Sequence, residues 1–219
     1  MQYKAVLFDH DGTLADSEVV HYQFWADVLA ELGVAFPEAH YRTHYTGVSE
    51  LATAQHLRQT FALSPSVDSL VQAKRERAKA YHAHKHYPTL PFVEATLETL
   101  KTNGVRMAVV SGSARFALEA NLEAAGLRHY FEFIASGEEV AENKPAPDVY
   151  QHALAQLQLP VADCLAVEDT CSGLTAAKAA GLVTCVIPNR FSGHQDFTAA
   201  DQRFAHMGEF CQWLLNRPL

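Results

Sequence analysis

Positive charge is scarce in this chain: 17 lysines and arginines stand against 25 aspartates and glutamates in 219 residues, a formal charge of −8. No basic tract interrupts that balance. The sequence therefore offers no electrostatic footprint for nucleic acid or for an anionic membrane surface, and an anionic ligand must be met by locally placed cations. Long apolar runs are missing too, so no segment has the length of a bilayer span. The opening MQYKAVLFDHDG has a short apolar run that stops at acid, unlike a signal or transit peptide. Cysteine is sparse: Cys164, Cys171, Cys185 and Cys211 show no paired spacing for zinc or a dithiol motif. Reduced, buried thiols in a cytoplasmic protein are the expectation. Internal repeats and low-complexity tracts are absent.

What is present is apolar substance. Residues of that kind make up 48% of the chain, enough for a sizeable core. Five short runs have the continuous apolar character of strands covered on both faces: Ala5–Phe8, Val105–Val110, Phe131–Ala135, Cys164–Val167 and Val183–Ile187. Helical patterns separate the later ones. FVEATLETLKTNG places Val93, Leu97 and Leu100 on one face and stops at a glycine, as ARFALEANLEAAG and SGLTAAKAAG also do. This alternation predicts an α/β fold, a Rossmann-like parallel sheet. Residues 15–88 break the rhythm. They carry helix-like stretches and no convincing strand, so they read as a helical cap inserted after the first strand. The core is then formed by residues 1–14 and 89–219.

The chemistry concentrates after the strands. Asp9 and Asp11 follow AVLF, two positions apart, and side chains at that spacing on extended backbone point the same way. Such a pair repels unless a cation lies between the carboxylates or one stays protonated. Gly12 permits a sharp turn with amides facing an anion, and Thr13 adds a hydroxyl. Ser111, Gly112 and Ser113 end the second strand at the mouth of a helix, a ready anion site. Lys144 stands in NKPAPD after the third strand, and Glu168 and Asp169 follow the fourth. Each feature has a plain structural reading as well: a turn, a helix cap, a solvated lysine, acid at a helix N-terminus. All four, however, follow carboxyl ends of predicted strands, where open α/β sheets bind ligands. Carboxylates with few other donors suit Mg²⁺, while lysine, hydroxyl and turn amides suit phosphate. Together they describe metal-assisted phosphoryl transfer.

DHDGTLADS, VVSGSA, KPAPDVY and VEDTCSGLTAAKAAG resemble the four motifs of the haloacid dehalogenase superfamily. The closer likeness is to its capped phosphatase and β-phosphoglucomutase-like branch. That resemblance implies that Asp9 is the nucleophile and forms an aspartyl-phosphate. It implies that Asp11 is the general acid and base. Mg²⁺ would be held by the Asp9 carboxylate, the Asp11 carbonyl and Asp169, with Glu168 nearby. Ser111, Gly112 and Lys144 would bind phosphoryl oxygens, and Gly12 and Thr13 would hold the first loop. The function so implied is hydrolysis of a small phosphomonoester, a sugar phosphate or similar metabolite, with a sugar phosphomutase as the alternative.

The sequence departs from the family pattern in three places. His10 lies between the aspartates, where an apolar residue is frequent, and its side chain should point away from the site. Phe92 replaces a frequent glycine at the return from the cap, where it bears on the hinge or the site's closure. In YTGVSELA, Glu50 stands where the mutases carry a basic residue for a second phosphate, which favours the phosphatase. A dehalogenase would need neither Asp11 nor a metal, and a binding module that had lost catalysis should lack some of these groups. Weaker signals lie in the cap. His21 resembles a histidine found near substrate in relatives. Lys74 and Arg75 read first as a helix surface paired with Glu76. His82, His84 and His86 read first as a solvated helix end, although His82 and His86 share a helical face suited to a metal.

Overall fold

The computed structural model describes residues 3–216. Six strands form one sheet: β1 (Ala5–Phe8), β2 (Arg106–Ser111), β3 (Phe133–Ser136), β4 (Cys164–Glu168), β5 (Val183–Val186) and β6 (Gln202–Arg203). Their order is β3-β2-β1-β4-β5-β6, and every neighbouring pair is parallel. The core is set by alternation along β1. Val6 and Phe8 face one apolar layer with α5 (Val93–Thr102), α6 (Arg115–Ala124) and α9 (Met207–Leu215). Ala5 and Leu7 face the other, with α7 (Asp148–Leu157) and α8 (Cys171–Ala179). A strand covered on both sides must be apolar at every position, and all four residues of β1 are fully buried.

β1 sits between β2 and β4. The chain runs from β1 through β2 to one edge and, after crossing back, from β4 through β5 to the other, so a crevice opens at the carboxyl ends of β1 and β4.

Between β1 and α5 lie α1 (Glu18–Glu31), α2 (Glu38–His44), α3 (Glu50–Thr60) and α4 (Val67–His82), called the cap here. They close around their own aromatic-rich cluster, with Trp25, Tyr41, Tyr45 and Leu57 buried in it. The two passages between cap and sheet run antiparallel. Ala15 bridges to Thr89, Leu90 N donates to Leu14 O at 3.0 Å, and Asp16 N donates to Pro88 O at 2.8 Å. Phe92 has a left-handed backbone conformation that favours glycine, with φ of 66°. Its ring stacks on His206, with centroids 4.6 Å apart. It stands 55% exposed and does not line the site cleft.

Three elements have no counterpart in the sequence reading. β6 is two residues long and carries no apolar run, α2 buries only Tyr41, and α9 lies beyond the last helical pattern picked out, although Met207, Phe210, Cys211 and Leu214 are buried at helical spacing. The second and third strands also begin one and two residues later than their apolar runs. Val105 and Phe131 are buried in the core without joining the sheet ladder. Among the described residues no helix is long and apolar enough to cross a membrane.

Candidate active site

The ends of β1 to β4 deliver the charged and hydroxyl groups of the crevice. Asp9 follows β1 and its N–H donates to Val167 O at 2.9 Å, which extends the parallel register by one residue. Glu168 ends β4 and Asp169 follows it; both are fully buried. Lys144 reaches back from the loop after β3. Its Nζ donates to Asp9 Oδ1 at 2.8 Å, to Glu168 Oε1 at 2.7 Å and to Val110 O at 2.8 Å. Its three donors are thus all used, and one cation serves two buried carboxylates. The Tyr150 hydroxyl adds a 2.6 Å bond to Glu168 Oε1.

One lysine does not neutralise what gathers there. Carboxylate oxygens of Asp9, Glu168 and Asp169 lie within 4.8 Å of one another. Burial, and then the Glu168 charge, push Asp9 up to about 7. Burial and the Asp9 charge hold Asp169 well above the usual carboxylate range. Glu168 Oε2 is buried without a hydrogen-bond partner. Three crowded acids, one with an orphaned oxygen, fit a hard divalent cation, which would hold all three ionised.

Asp9 and Asp11 part company in the structure. The principal acidic neighbour of Asp9 is Glu168, and Asp11 faces donors. Its Oδ2 accepts from Ser113 Oγ at 2.6 Å and from Ser111 Oγ at 3.4 Å. Its Oδ1 lies 3.0 Å from Nε2 of His21, on the cap. His10 is buried beneath the loop: Nε2 lies 2.8 Å from Asn121 Oδ1, while Nδ1 lies 3.2 Å from Asp11 Oδ1. Its ring does not line the cleft, yet it does bear on Asp11. Burial pushes the Asp11 carboxyl up, but His10 and His21 together outweigh it and hold the group well below its ordinary range.

Gly12 and Thr13 lie behind the cleft, not in its wall. Gly12 has φ of 81°, and a Cβ there would come within 2.2 Å of Asp169 Oδ2. Glycine is thus required twice over, by conformation and by the nearness of a carboxylate. Thr13 Oγ1 donates to Asp169 Oδ1 at 3.4 Å. Ser111 and Gly112 do line the cleft, and Gly112 O is fixed by Asn143 Nδ2 at 2.9 Å.

The cap supplies the far wall, through Gly47 to Glu50, Lys74, Arg75, Glu18 and His21. Here the pairing expected of Lys74 and Arg75 needs correcting. Glu76 takes Gln72 and Lys79 instead. Lys74 Nζ donates to Glu50 Oε2 at 3.4 Å and Arg75 Nε to Glu50 Oε1 at 2.5 Å. Arg75 also meets Glu138, beyond β3, at 3.0 Å. Glu50 therefore enters the cleft already compensated, and its charge alone cannot decide what binds there. The histidine cluster differs too. α4 ends at His82, so His86 shares no helical face with it. Both ring nitrogens of His82 are buried without partners against Tyr87, with ring centroids 4.7 Å apart.

Two site residues had no signal in the sequence: Glu18 and Asn189 sit on a helix and a loop whose local pattern is ordinary. Tyr150 ends KPAPDVY, but nothing in that stretch marks its hydroxyl as a partner of Glu168. Glu18 is buried in the cleft wall, accepts from the Tyr41 hydroxyl at 2.9 Å, and is pushed up to about 7 by burial and then by Asp11. Asn189 Nδ2 donates to Asp169 Oδ2 at 2.7 Å and to Gly12 O at 3.1 Å.

A sequence model of the haloacid dehalogenase-like hydrolases matches residues 6–187. Protein CbbY of Rhodobacter capsulatus is 38% identical over 213 residues, 93% of each chain. Fructose-1-phosphate phosphatase YqaB of Escherichia coli is 30% identical, over 83% of this chain and 94% of its own. The crystal structure of a CbbY variant from Rhodobacter sphaeroides, in complex with xylulose-(1,5)bisphosphate, superimposes with a TM-score of 0.81 at 31% identity, covering 92% of this chain and 93% of that one.

Proposed function

The chain belongs to the haloacid dehalogenase-like hydrolases, and on that premise we propose that it is a Mg²⁺-dependent phosphatase hydrolysing the phosphomonoester of a small sugar or polyol. The observation that carries the reading is the bridge made by Lys144 between Asp9 and Glu168, with Asp169 against them, in a cleft walled by the cap. The relatives that act on phosphorylated sugars support the substrate class.

Asp9, Glu168 and Asp169 would hold the metal, which when bound offsets their charge and that of the phosphoryl group. Lys144, which must exchange one of its three present acceptors for a phosphoryl oxygen, and the Ser111–Gly112 end of β2 orient the phosphoryl group against the Asp9 carboxylate. An Asp9 oxygen attacks phosphorus, the ester P–O bond breaks, and the carboxyl of Asp11 gives its proton to the departing alkoxide. Asp11 is an anion in the free site, and an arriving phosphate dianion raises its proton affinity. Asp11 then takes a proton from water. That water oxygen attacks the phosphorus of the aspartyl-phosphate, and the P–O bond to Asp9 breaks to release phosphate. His21 and Ser113 hold Asp11 in place for both transfers.

The test is phosphate release from sugar monophosphates with Asp9→Asn and Asp11→Asn. Both should be folded, the first without turnover and the second slowed at least ~100-fold. Near-normal turnover by either sinks the covalent mechanism.

A further inference from the structure

The loop after β5 belongs to the sheet in sequence and to the cap in packing. Phe191 is 1% exposed, and the cluster that buries it is the cap's own. Its ring meets Tyr41 edge-on, with centroids 6.3 Å apart, and the Arg42 guanidinium lies 5.9 Å from its centroid. Arg42 Nη2 donates to the Arg190 carbonyl at 2.7 Å. Two residues before Phe191, Asn189 grips Asp169 and Gly12. The Asn189 side chain is tied to the same turn, since its Oδ1 accepts from Phe191 N at 2.7 Å. Gln195 closes the loop. It accepts from Cys171 N at 2.6 Å and donates to Thr46 O, on the cap, at 3.3 Å. Beside it Gly47 lies so close to Thr170 that a Cβ would come within 2.7 Å of Thr170 Cγ2.

We propose that residues 189–195 form a strut that couples seating of the cap to the geometry of the metal site, with Asn189 the positioning residue for Asp169. This rests on the reading of Asp169 as a metal ligand. A short turn fixed at one end in the cap core and at the other to a carboxylate oxygen cannot move at one end alone. When the cap shifts, Phe191 carries the turn and Asn189 releases or rotates the Asp169 carboxylate. The coupling is reciprocal: a cation that holds Asp169 also favours the seated cap. Asn189 needs no contact with substrate for this role.

The experiment measures Mg²⁺ binding by calorimetry without substrate, and hydrogen exchange of α2 and α3 with and without Mg²⁺. In the parent protein, Mg²⁺ should bind and slow exchange in these cap helices. Asn189→Ala should weaken Mg²⁺ ~10-fold, as loss of a ligand's supporting bond does, with kcat restored at saturating Mg²⁺. Phe191→Ala leaves every acidic residue in place, yet should weaken Mg²⁺ ~5-fold and erase the Mg²⁺ effect on cap exchange. Should that variant fail to fold, Arg42→Gln, which removes the bond to Arg190 O and the guanidinium over the Phe191 ring but keeps the ring itself, should show the same two changes to a smaller degree. Parent-like Mg²⁺ affinity in a variant whose cap exchange has risen overturns the strut while leaving the phosphatase reading intact. A parent protein that binds no Mg²⁺ overturns the reading itself, and the strut with it.

Discussion

Lys144 Nζ lies 2.8 Å from Asp9 Oδ1, with only 9% of either side chain exposed. The same ammonium serves Glu168, so its removal leaves two buried acids unpaired beside a third. Lys144→Met should lower unfolding free energy by about 3–5 kcal/mol, the usual cost of breaking a buried pair, and abolish turnover. Mg²⁺ should recover part of the stability but none of the activity. Urea unfolding with and without Mg²⁺ checks this, and an unchanged midpoint for the metal-free variant would contradict it.

Glu18 makes stability depend on pH. Its carboxyl is raised from 4.5 to about 7 in the folded protein. The native state therefore keeps a proton that the unfolded chain has given up, and stability falls as pH rises from 4.5 to about 7. Glu18→Gln cannot ionise. Its advantage over the parent should be absent below pH 4.5, grow through that window and level off above it, at roughly 3 kcal/mol or less. Denaturation curves of the pair at pH 4.5, 6 and 8 give the difference directly; a gap independent of pH would refute the assignment.

Metal removal separates phosphatase from dehalogenase chemistry. Excess chelator should stop phosphate release and Mg²⁺ should restore it. Ca²⁺ should do so poorly, because it tolerates larger and looser coordination. Beryllium fluoride with Mg²⁺ should inhibit by mimicking the phosphorylated Asp9. Full activity in chelator would remove the metal from the mechanism.

Glu50 sets the far end of the cleft. It ties up Lys74 and Arg75, so the parent should release phosphate from hexose monophosphates without interconverting the 1- and 6-phosphates. Glu50→Gln removes the charge that holds Lys74 and one of the two that hold Arg75, which keeps Glu138, and KM for a bisphosphorylated sugar should fall ~5-fold or more while that for the monophosphate changes little. Steady-state kinetics on the two substrates decide it. If both KM values move together, the three side chains do not form a separate subsite.

Local sequence pattern specifies five of the six strands and the order in which the groups at their ends occur along the chain. The reason is local: continuous apolar runs make buried parallel strands, and the residues just after each run must stand at its carboxyl end. Asp9, Ser111, Lys144 and Glu168 were legible on that basis. Only tertiary structure decided who faces whom. Asp9 is crowded by Glu168 across the sheet more than by Asp11 two residues away, because the turn at Gly12 swings the second aspartate towards β2 and the cap. Lys74 and Arg75 stand two residues and one residue from Glu76, spacings that do not share a helix face, and meet Glu50 of α3 instead, since packing of α3 on α4 sets the distances. Asn189 and Phe191 carry no local pattern, and nothing in KPAPDVY ties the Tyr150 hydroxyl to Glu168. The roles of Asn189, Tyr150 and Phe191 come from contacts across 20, 18 and about 150 residues of chain, which no periodicity records; the first two need the sheet and its loops assembled, and only the third needs the cap seated on them.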